Sequence, residues 1–278
     1  MTADSLLFRA LEFYGTRFPH RGQWWLHEHL RKLCGAKIDV ELEVFREGLL
    51  WRLNPADLVH QNLFWLGTDN QWDLHHLKKS LKPGSVIFDV GANFGYFSLT
   101  LANYLSRQCR VHAFEPNPPT HARLAKNIEL NQLGAIISAH RTGLSDARGT
   151  GYLCEHPGHA HDLNSGAASL GDQRGGVPVP LMTFDDFCHG LHITRLDFVK
   201  LDVEGFEERV LRGAAVSLAK FQPILCVELN PSTLTRQNSS VKTVADMLVQ
   251  WGYKLFVARR EKLEPLLHLP EGGDYLNA

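Results

Sequence analysis

From Pro83-Gly84 onward, short apolar runs alternate with segments of helical period, and this alternation narrows the fold more than any other feature. Val86-Ile87-Phe88-Asp89-Val90 is rich in β-branched residues and apolar on both faces, so it reads as a strand buried from both sides. Gly91 to Gly95 is a turn, and Tyr96 to Leu105 has helical spacing. Val111 to Phe114 is a second strand. Pro118 to Leu130 is a second helix, opened by a proline whose missing N–H does no harm there. Ile136 to His140, Asp197 to Val203, Ile224 to Leu229 and Tyr253 to Val257 are further strands, with helices over Phe206 to Leu211 and Val241 to Trp251. Strands separated by helices cannot pair as tight hairpins. The pattern therefore predicts an α/β fold with a doubly wound, mostly parallel, Rossmann-like sheet.

The flanking text differs. Residues 1–82 form an N-terminal extension rich in Trp, His and Leu. Val40 to Leu53 alternates around Glu47-Gly48 and predicts a hairpin, and Trp72 to Leu81 predicts a helix leading into the main domain, 83–278. Leu6, Leu7, Ala10, Leu11 and Tyr14 have helical spacing and favour an N-terminal helix packed on the core over one lying on a membrane. Trp24, Trp25, Trp51, Trp65 and Trp72 crowd this part; core or interface positions are favoured over sugar stacking, and a homodimer contact is left open. Residues 146–180 break the rhythm with Gly, Ser, His and Asp. A long irregular stretch inside a compact domain favours a lid-like loop over a disordered insert.

Charge excludes some partners. Lys plus Arg is 29 and Asp plus Glu is 30, a net charge of -1, so the chain has no general attraction to nucleic acid or anionic membrane. Five cysteines, Cys34, Cys109, Cys154, Cys188 and Cys226, stand far apart and form neither a disulfide framework nor a zinc set. No secretory leader and no membrane-spanning run is legible. These features predict a cytoplasmic protein.

Three segments at strand ends carry chemistry, because ligands of doubly wound sheets bind beyond the carboxyl ends of the strands. In Asp89-Val90-Gly91-Ala92-Asn93-Phe94-Gly95, glycines permit a tight turn and close approach of a ligand. Asp89 within the strand end needs a cation to offset its burial, and a ligand's ammonium or sulfonium would supply one. The spacing departs from Gly-x-Gly-x-x-Gly, which disfavours a pyrophosphate cradle. Glu115, before Pro116, follows the glycine turn by about 20 residues, where an acid accepts from both ribose hydroxyls; a simple acid at a helix start is the alternative. In Lys200-Leu201-Asp202-Val203-Glu204-Gly205, two carboxylates and a lysine emerge together, either as a site or as a structural ion pair. Glu228 adds a third acid at the same edge.

Together these motifs, with Val227-Glu228 and the small-residue segment Asn164-Ser165-Gly166-Ala167-Ala168-Ser169-Leu170, resemble the FkbM-type methyltransferase family over about residues 72–230. Trp72-Asp73 departs from that family's pattern of an aromatic followed by Glu. The resemblance implies a class I methyltransferase fold, S-adenosylmethionine as cofactor, and O-methylation of a small-molecule or glycan acceptor such as a sugar or natural product. It implies that Asp89, Gly91, Ala92, Asn93 and Gly95 line the methionine end of the cofactor and that Glu115 and Pro116 sit at the ribose. Asp146, in Leu144-Ser145-Asp146, stands where such enzymes meet the adenine, or is a plain turn acid.

A hydroxyl is a poor nucleophile while protonated, so a base or a metal is expected beside the acceptor. The candidates are Asp202 and Glu204, then Lys200 and the loop histidines His156, His159 and His161. The histidines could hold a metal, but with 15 in the chain a metal-free cluster is favoured. Asp202, Glu204 and Glu228 could hold Mg²⁺ through oxygens; a divalent metal is not favoured, and no residue is assigned as its ligand. The rivals are a cofactor-binding module without catalysis and a nucleotide-sugar oxidoreductase or epimerase.

Overall fold

The computed structural model describes residues 13, 14, 25, 29, 40–68, 72–154, 169–171, 176–258, 262–266 and 276–277. The chain divides into two compact units, residues 1–70 with 157–166, and residues 71–156 with 167–278.

In the first unit, β1 (Leu42–Arg46) and β2 (Leu49–Leu53) form the expected antiparallel hairpin, with Val44 opposite Trp51. Glu47 and Gly48 both have positive φ, 50° and 81°, as a two-residue turn matched to strand twist requires. Trp51, Leu53 and Trp65 are buried, so these tryptophans serve the core, whereas Trp25 is exposed. A π-helical turn, Asn62–Leu66, contributes Phe64 and Trp65. Most of the predicted N-terminal helix, and Trp24, lie outside the described residues.

The second unit is built on a sheet in which β3 (Ser85–Val90), β4 (Cys109–Phe114), β5 (Ile137–His140), β10 (Phe198–Leu201) and β11 (Ile224–Leu229) are all parallel. The order is β14-β11-β10-β3-β4-β5, and the short β14 (Leu276–Asn277) closes the edge antiparallel to β11. Chain order reverses between β3 and β10, which defines the switch point. The helices are α1 (Trp72–Ser80), α2 (Tyr96–Tyr104), α3 (Pro118–Leu130), α4 (Phe184–Gly190), α5 (Glu207–Arg212), α6 (Ala215–Phe221), α7 (Pro231–Arg236) and α8 (Val241–Gln250). Local chemistry sets their starts: Pro118 follows Asn117 into α3, Thr183 accepts from the Asp186 N–H to cap α4, and Ser240 accepts from the Thr243 N–H to cap α8. Phe88, Phe114, Phe184, Leu201 and Val227 fill the core between sheet and helices.

The segment 146–180 differs from its sequence reading. Its ends are strands: β6 (Gly143–Ser145), β7 (Gly149–Cys154), β8 (Ser169–Gly171) and β9 (Val177–Thr183) make a second sheet ordered β6-β9-β7-β8. Leu153, Leu170 and Val179 pack with Phe206 as a separate apolar cluster beneath it. His156, His159 and His161 lie outside the described residues. Likewise, the predicted strand at Tyr253 to Val257 is the short β12 (Phe256–Ala258), paired with β13 (Leu263–Pro265).

Candidate functional site

The carboxyl ends of β3, β4, β10 and β11 bring together most of the sequence-predicted residues. At β3, Gly91 has φ 79°, and a Cβ there would stand 1.7 Å from the Asp202 carbonyl oxygen. Only glycine lets the two strand ends approach this closely. The turn is pinned from below, since Gly91 and Ala92 N–H both donate to the Phe114 carbonyl, at 3.0 and 2.9 Å. From the side, Asn127 Nδ2 donates to the Phe94 carbonyl at 2.9 Å. Gly95 starts α2 in the left-handed region, φ 98°.

Asp89 is 1% exposed, and its Oδ2 accepts from Ser98 N–H (3.0 Å) and Ser98 Oγ (2.6 Å). Its other oxygen lies 3.8 Å from Lys200 Nζ. This corrects the sequence reading: the cation that offsets burial of Asp89 is Lys200 of the same chain, so the burial requires no ligand charge. Burial raises the Asp89 pKa, against the opposing pull of Lys200 and Ser98.

Glu115 follows β4 and is 8% exposed. Oε2 accepts from Asn93 N–H at 3.0 Å and Oε1 from Asn117 N–H at 2.9 Å. Asn93 is itself left-handed, φ 50°. The carboxylate is thus clamped between two backbone segments, and each oxygen keeps a second lone pair for a hydroxyl donor. Burial pushes its pKa up to about 7, against the two N–H groups and Lys200.

At β10 the acids cluster, although the strand is shorter than the predicted Asp197 to Val203, which would have put Asp202 and Glu204 on one face. The strand ends at Leu201, so Asp202 and Glu204 do not share a strand face; Glu204 turns left-handed, φ 53°, followed by Gly205 at φ 101°. Carboxylate oxygens of Asp202, Glu204 and Glu228 still lie within 4.8 Å of one another. Lys200 Nζ is 3.0 Å from Asp202 Oδ2, donates to the Gly91 carbonyl at 2.7 Å, and lies 5.4 Å from the centre of the Phe97 ring. Burial pulls the Lys200 pKa down, but Asp202 and Asp89 outweigh it and the net shift is upward. Lys200 therefore stays charged and fills the counter-ion role, which argues against proton transfer by it. Burial raises Asp202, but Lys200 and a hydrogen bond with Glu228 outweigh it and hold its pKa down. Glu204 goes the other way: burial, then Asp202 and Glu207, push it up to about 7.

Asp146 lies apart from the acid cluster. It is exposed, and its Cα adjoins the position of Gly213, just past the C-terminal end of α5, while Asp202 and Glu204 precede the N-terminal end of that helix. Six residues of helix, about 9 Å at 1.5 Å per residue, separate the two ends. Its Oδ1 accepts from Ser145 Oγ, the bond of a turn acid. Pro116 is half-buried beside the rim, next to Gly143. Two residues escaped sequence reasoning: Ser98, which holds Asp89, and Glu207, which brackets Glu204. The spacing Glu204-Gly205-Phe206-Glu207 was the available signal for the second.

The family described as the methyltransferase FkbM domain matches residues 89–255, from the first strand-end acid to beyond the last helix of the sheet. The chain belongs to this family. Among its FkbM-type relatives, methyltransferase sdnD of Sordaria araneosa is 29% identical over 188 residues, 57% of this chain and 68% of that protein. The 31-O-demethyl-FK506 methyltransferase FkbM of Streptomyces tacrolimicus is 27% identical over 57% of this chain and 68% of that protein. The hexuronic acid methyltransferase AglP of Haloferax volcanii is 29% identical over 60% of this chain and 66% of that protein. The match to AMB antimetabolite synthetase AmbE of Pseudomonas aeruginosa, 26% identical over 76% of this chain, spans only 11% of that much longer protein. A solved FkbM methyltransferase from Methylobacillus flagellatus aligns over 99% of this chain and 58% of that one, with 12% identity and a TM-score of 0.46. Among the described residues, no helix is long and apolar enough to cross a membrane.

Proposed function

We propose that this FkbM-type methyltransferase moves the methyl group of S-adenosylmethionine to a hydroxyl oxygen of a sugar or natural-product acceptor, with residues 83–278 as the catalytic domain. The observation that carries this reading is the pairing, across one switch point, of a doubly clamped acid with a poised one: Glu115 beyond β4 and Glu204 beyond β10. The hexuronic acid methyltransferase and 31-O-demethyl-FK506 methyltransferase activities of two relatives support an oxygenated acceptor.

The cofactor supplies a methyl carbon already activated on sulfonium sulfur. The protein is left to align the acceptor and take its proton. Glu115 is suited to hold the ribose hydroxyls with the lone pairs its backbone clamps leave open, and the Gly91–Gly95 turn gives room for the methionine end. Asp89 and Lys200 form the floor of the site. Glu204 accepts the proton of the acceptor hydroxyl, whose oxygen would take the methyl group that bound S-adenosylmethionine would supply. A base at this position is worth about 10²–10⁴-fold in rate. Asp202, held ionised by Lys200, is suited to orient the acceptor. Lys200 offsets part of the charge of the acid cluster, and the reading assigns no step to a divalent metal.

Calorimetric titration with S-adenosylmethionine and with NAD separates this function from a nucleotide-sugar oxidoreductase or epimerase. Mass spectrometry of cell extracts incubated with the protein and deuterated-methyl S-adenosylmethionine then finds the acceptor. Tight binding without label in any product would favour a cofactor-binding module without catalysis; binding of NAD alone would sink the methyltransferase reading.

A further inference from the structure

Glu207 lies among the acids of the rim and takes no direct part in the proton transfer assigned to Glu204. It is 1% exposed at the first residue of α5. Its Oε1 accepts from Val203 N–H at 3.0 Å and from Gly205 N–H at 3.2 Å, the residues on either side of Glu204. Ordinary helix capping runs between a side chain and N–H groups of the first turn. Glu207 also reaches back outside its helix, to a turn that holds Glu204 left-handed at φ 53°. That region is unfavourable for any residue with a Cβ unless its surroundings impose it. The turn has no slack on its far side, since a Cβ on Gly205 would stand 2.4 Å from the Thr233 carbonyl. The second Glu207 oxygen is buried with no hydrogen-bond partner. A carboxylate buried with one oxygen satisfied is a poor choice for stability alone, which directs attention to what the other oxygen holds.

We propose that Glu207 is a positioning residue for methyl transfer: by bracketing Glu204 through the Val203 and Gly205 N–H groups, it fixes the Glu204 carboxylate beside Asp202 and Glu228. The proposal rests on the reading of Glu204 as the base. Charge takes part as well as geometry. The charges of Asp202 and Glu207 raise the Glu204 pKa, and those of Arg236 and Lys200 lower it. Removing the negative charge of Glu207 lets Glu204 ionise at lower pH, and removing its acceptor oxygen frees the turn.

The test uses the full chain saturated with S-adenosylmethionine, and compares wild type with Glu207→Gln and Glu207→Leu. Amide exchange at Val203 and Gly205 and the titration midpoint of the Glu204 carboxyl are read by NMR, cofactor affinity by calorimetry, and rate as deuterated-methyl incorporation into cell extract. Glu207→Leu should speed exchange at both amides at least 100-fold and slow labelling at least 30-fold, with cofactor affinity held within threefold. Glu207→Gln keeps an acceptor oxygen. It should bring exchange back to within threefold of wild type and recover most of the rate, while the Glu204 midpoint falls below that of the wild type. Unchanged exchange in Glu207→Leu, or an unmoved Glu204 midpoint in Glu207→Gln, overturns the proposal. If Glu207→Leu fails to fold, Glu207→Asp, one methylene shorter, carries the exchange arm with the same expected direction. A wild-type protein that neither binds S-adenosylmethionine nor labels any product defeats the methyltransferase reading, while exchange at the two amides still decides whether Glu207 holds the turn.

Discussion

The two flanks of the switch point treat their acids in opposite ways. On the β3–β4 flank, Asp89 Oδ2 is tied to Ser98 and both Glu115 oxygens to the N–H groups of Asn93 and Asn117, while Asp89 Oδ1 faces Lys200. On the β10–β11 flank, Asp202, Glu204 and Glu228 press against one another and share a single buried ammonium. The first arrangement fixes geometry and suits recognition of a constant partner. The second sets Glu204, pushed up to about 7 as Glu115 also is, against neighbouring acids rather than in a backbone clamp, and suits proton transfer.

This contrast can be broken or sharpened by four substitutions. The largest expected effect is that of Glu204→Gln: kcat falls by about 10²–10⁴-fold while cofactor affinity stays within a few-fold, read by turnover and calorimetry. The pH profile belongs with it. Glu204 must be ionised to accept a proton, so wild-type kcat should decline as pH falls through about 7, and the glutamine variant should lose that limb. Gly91→Ala comes next. Its Cβ meets the backbone carbonyl of Asp202 rather than a movable side chain, so denaturant unfolding should show a loss of about 3 kcal/mol, or no folded protein. Glu115→Gln places an amide –NH₂ against one of its two N–H donors. Cofactor affinity should drop about 10–100-fold at unchanged kcat, equivalent to about 1.4–2.7 kcal/mol. Equal loss of kcat would erase the distinction between the flanks. The smallest effect is expected for Ser98→Ala, which removes one of two donors to Asp89 Oδ2 and should cost about 1–2 kcal/mol of stability.

The main sheet was legible because its strands are buried on both faces and so appear as unbroken apolar runs; Ile224–Leu229 and Pro118–Leu130 fall where the pattern places them. The second sheet was not. Val177–Thr183 carries Pro178 and Pro180, which ordinarily demote a strand. The structure accommodates both. They are two residues apart, so their missing donors face one edge, and on that edge β6 pairs only from Leu181 onward. There the Pro180 carbonyl accepts from Thr142 Oγ1 at 3.0 Å instead. At the site, types and order of residues revealed Asp89, Glu115, Asp202 and Glu204 as a set. Their partnerships stayed hidden, because Lys200 reaches Asp89 across adjacent strands 111 residues apart in sequence and Glu207 bonds backward past Glu204.

The contact between Gly91 and the Asp202 carbonyl has a wider bearing. It welds the two flanks into one block, in which neither can be displaced without the other. Variation in acceptor choice then has to arise at the periphery of that block. One such border joins β8 and the end of α7, where Gln237 Nε2 donates to the Leu170 carbonyl at 2.7 Å. A lineage adapting to a new acceptor could remodel that border while the inner machinery stayed as it is.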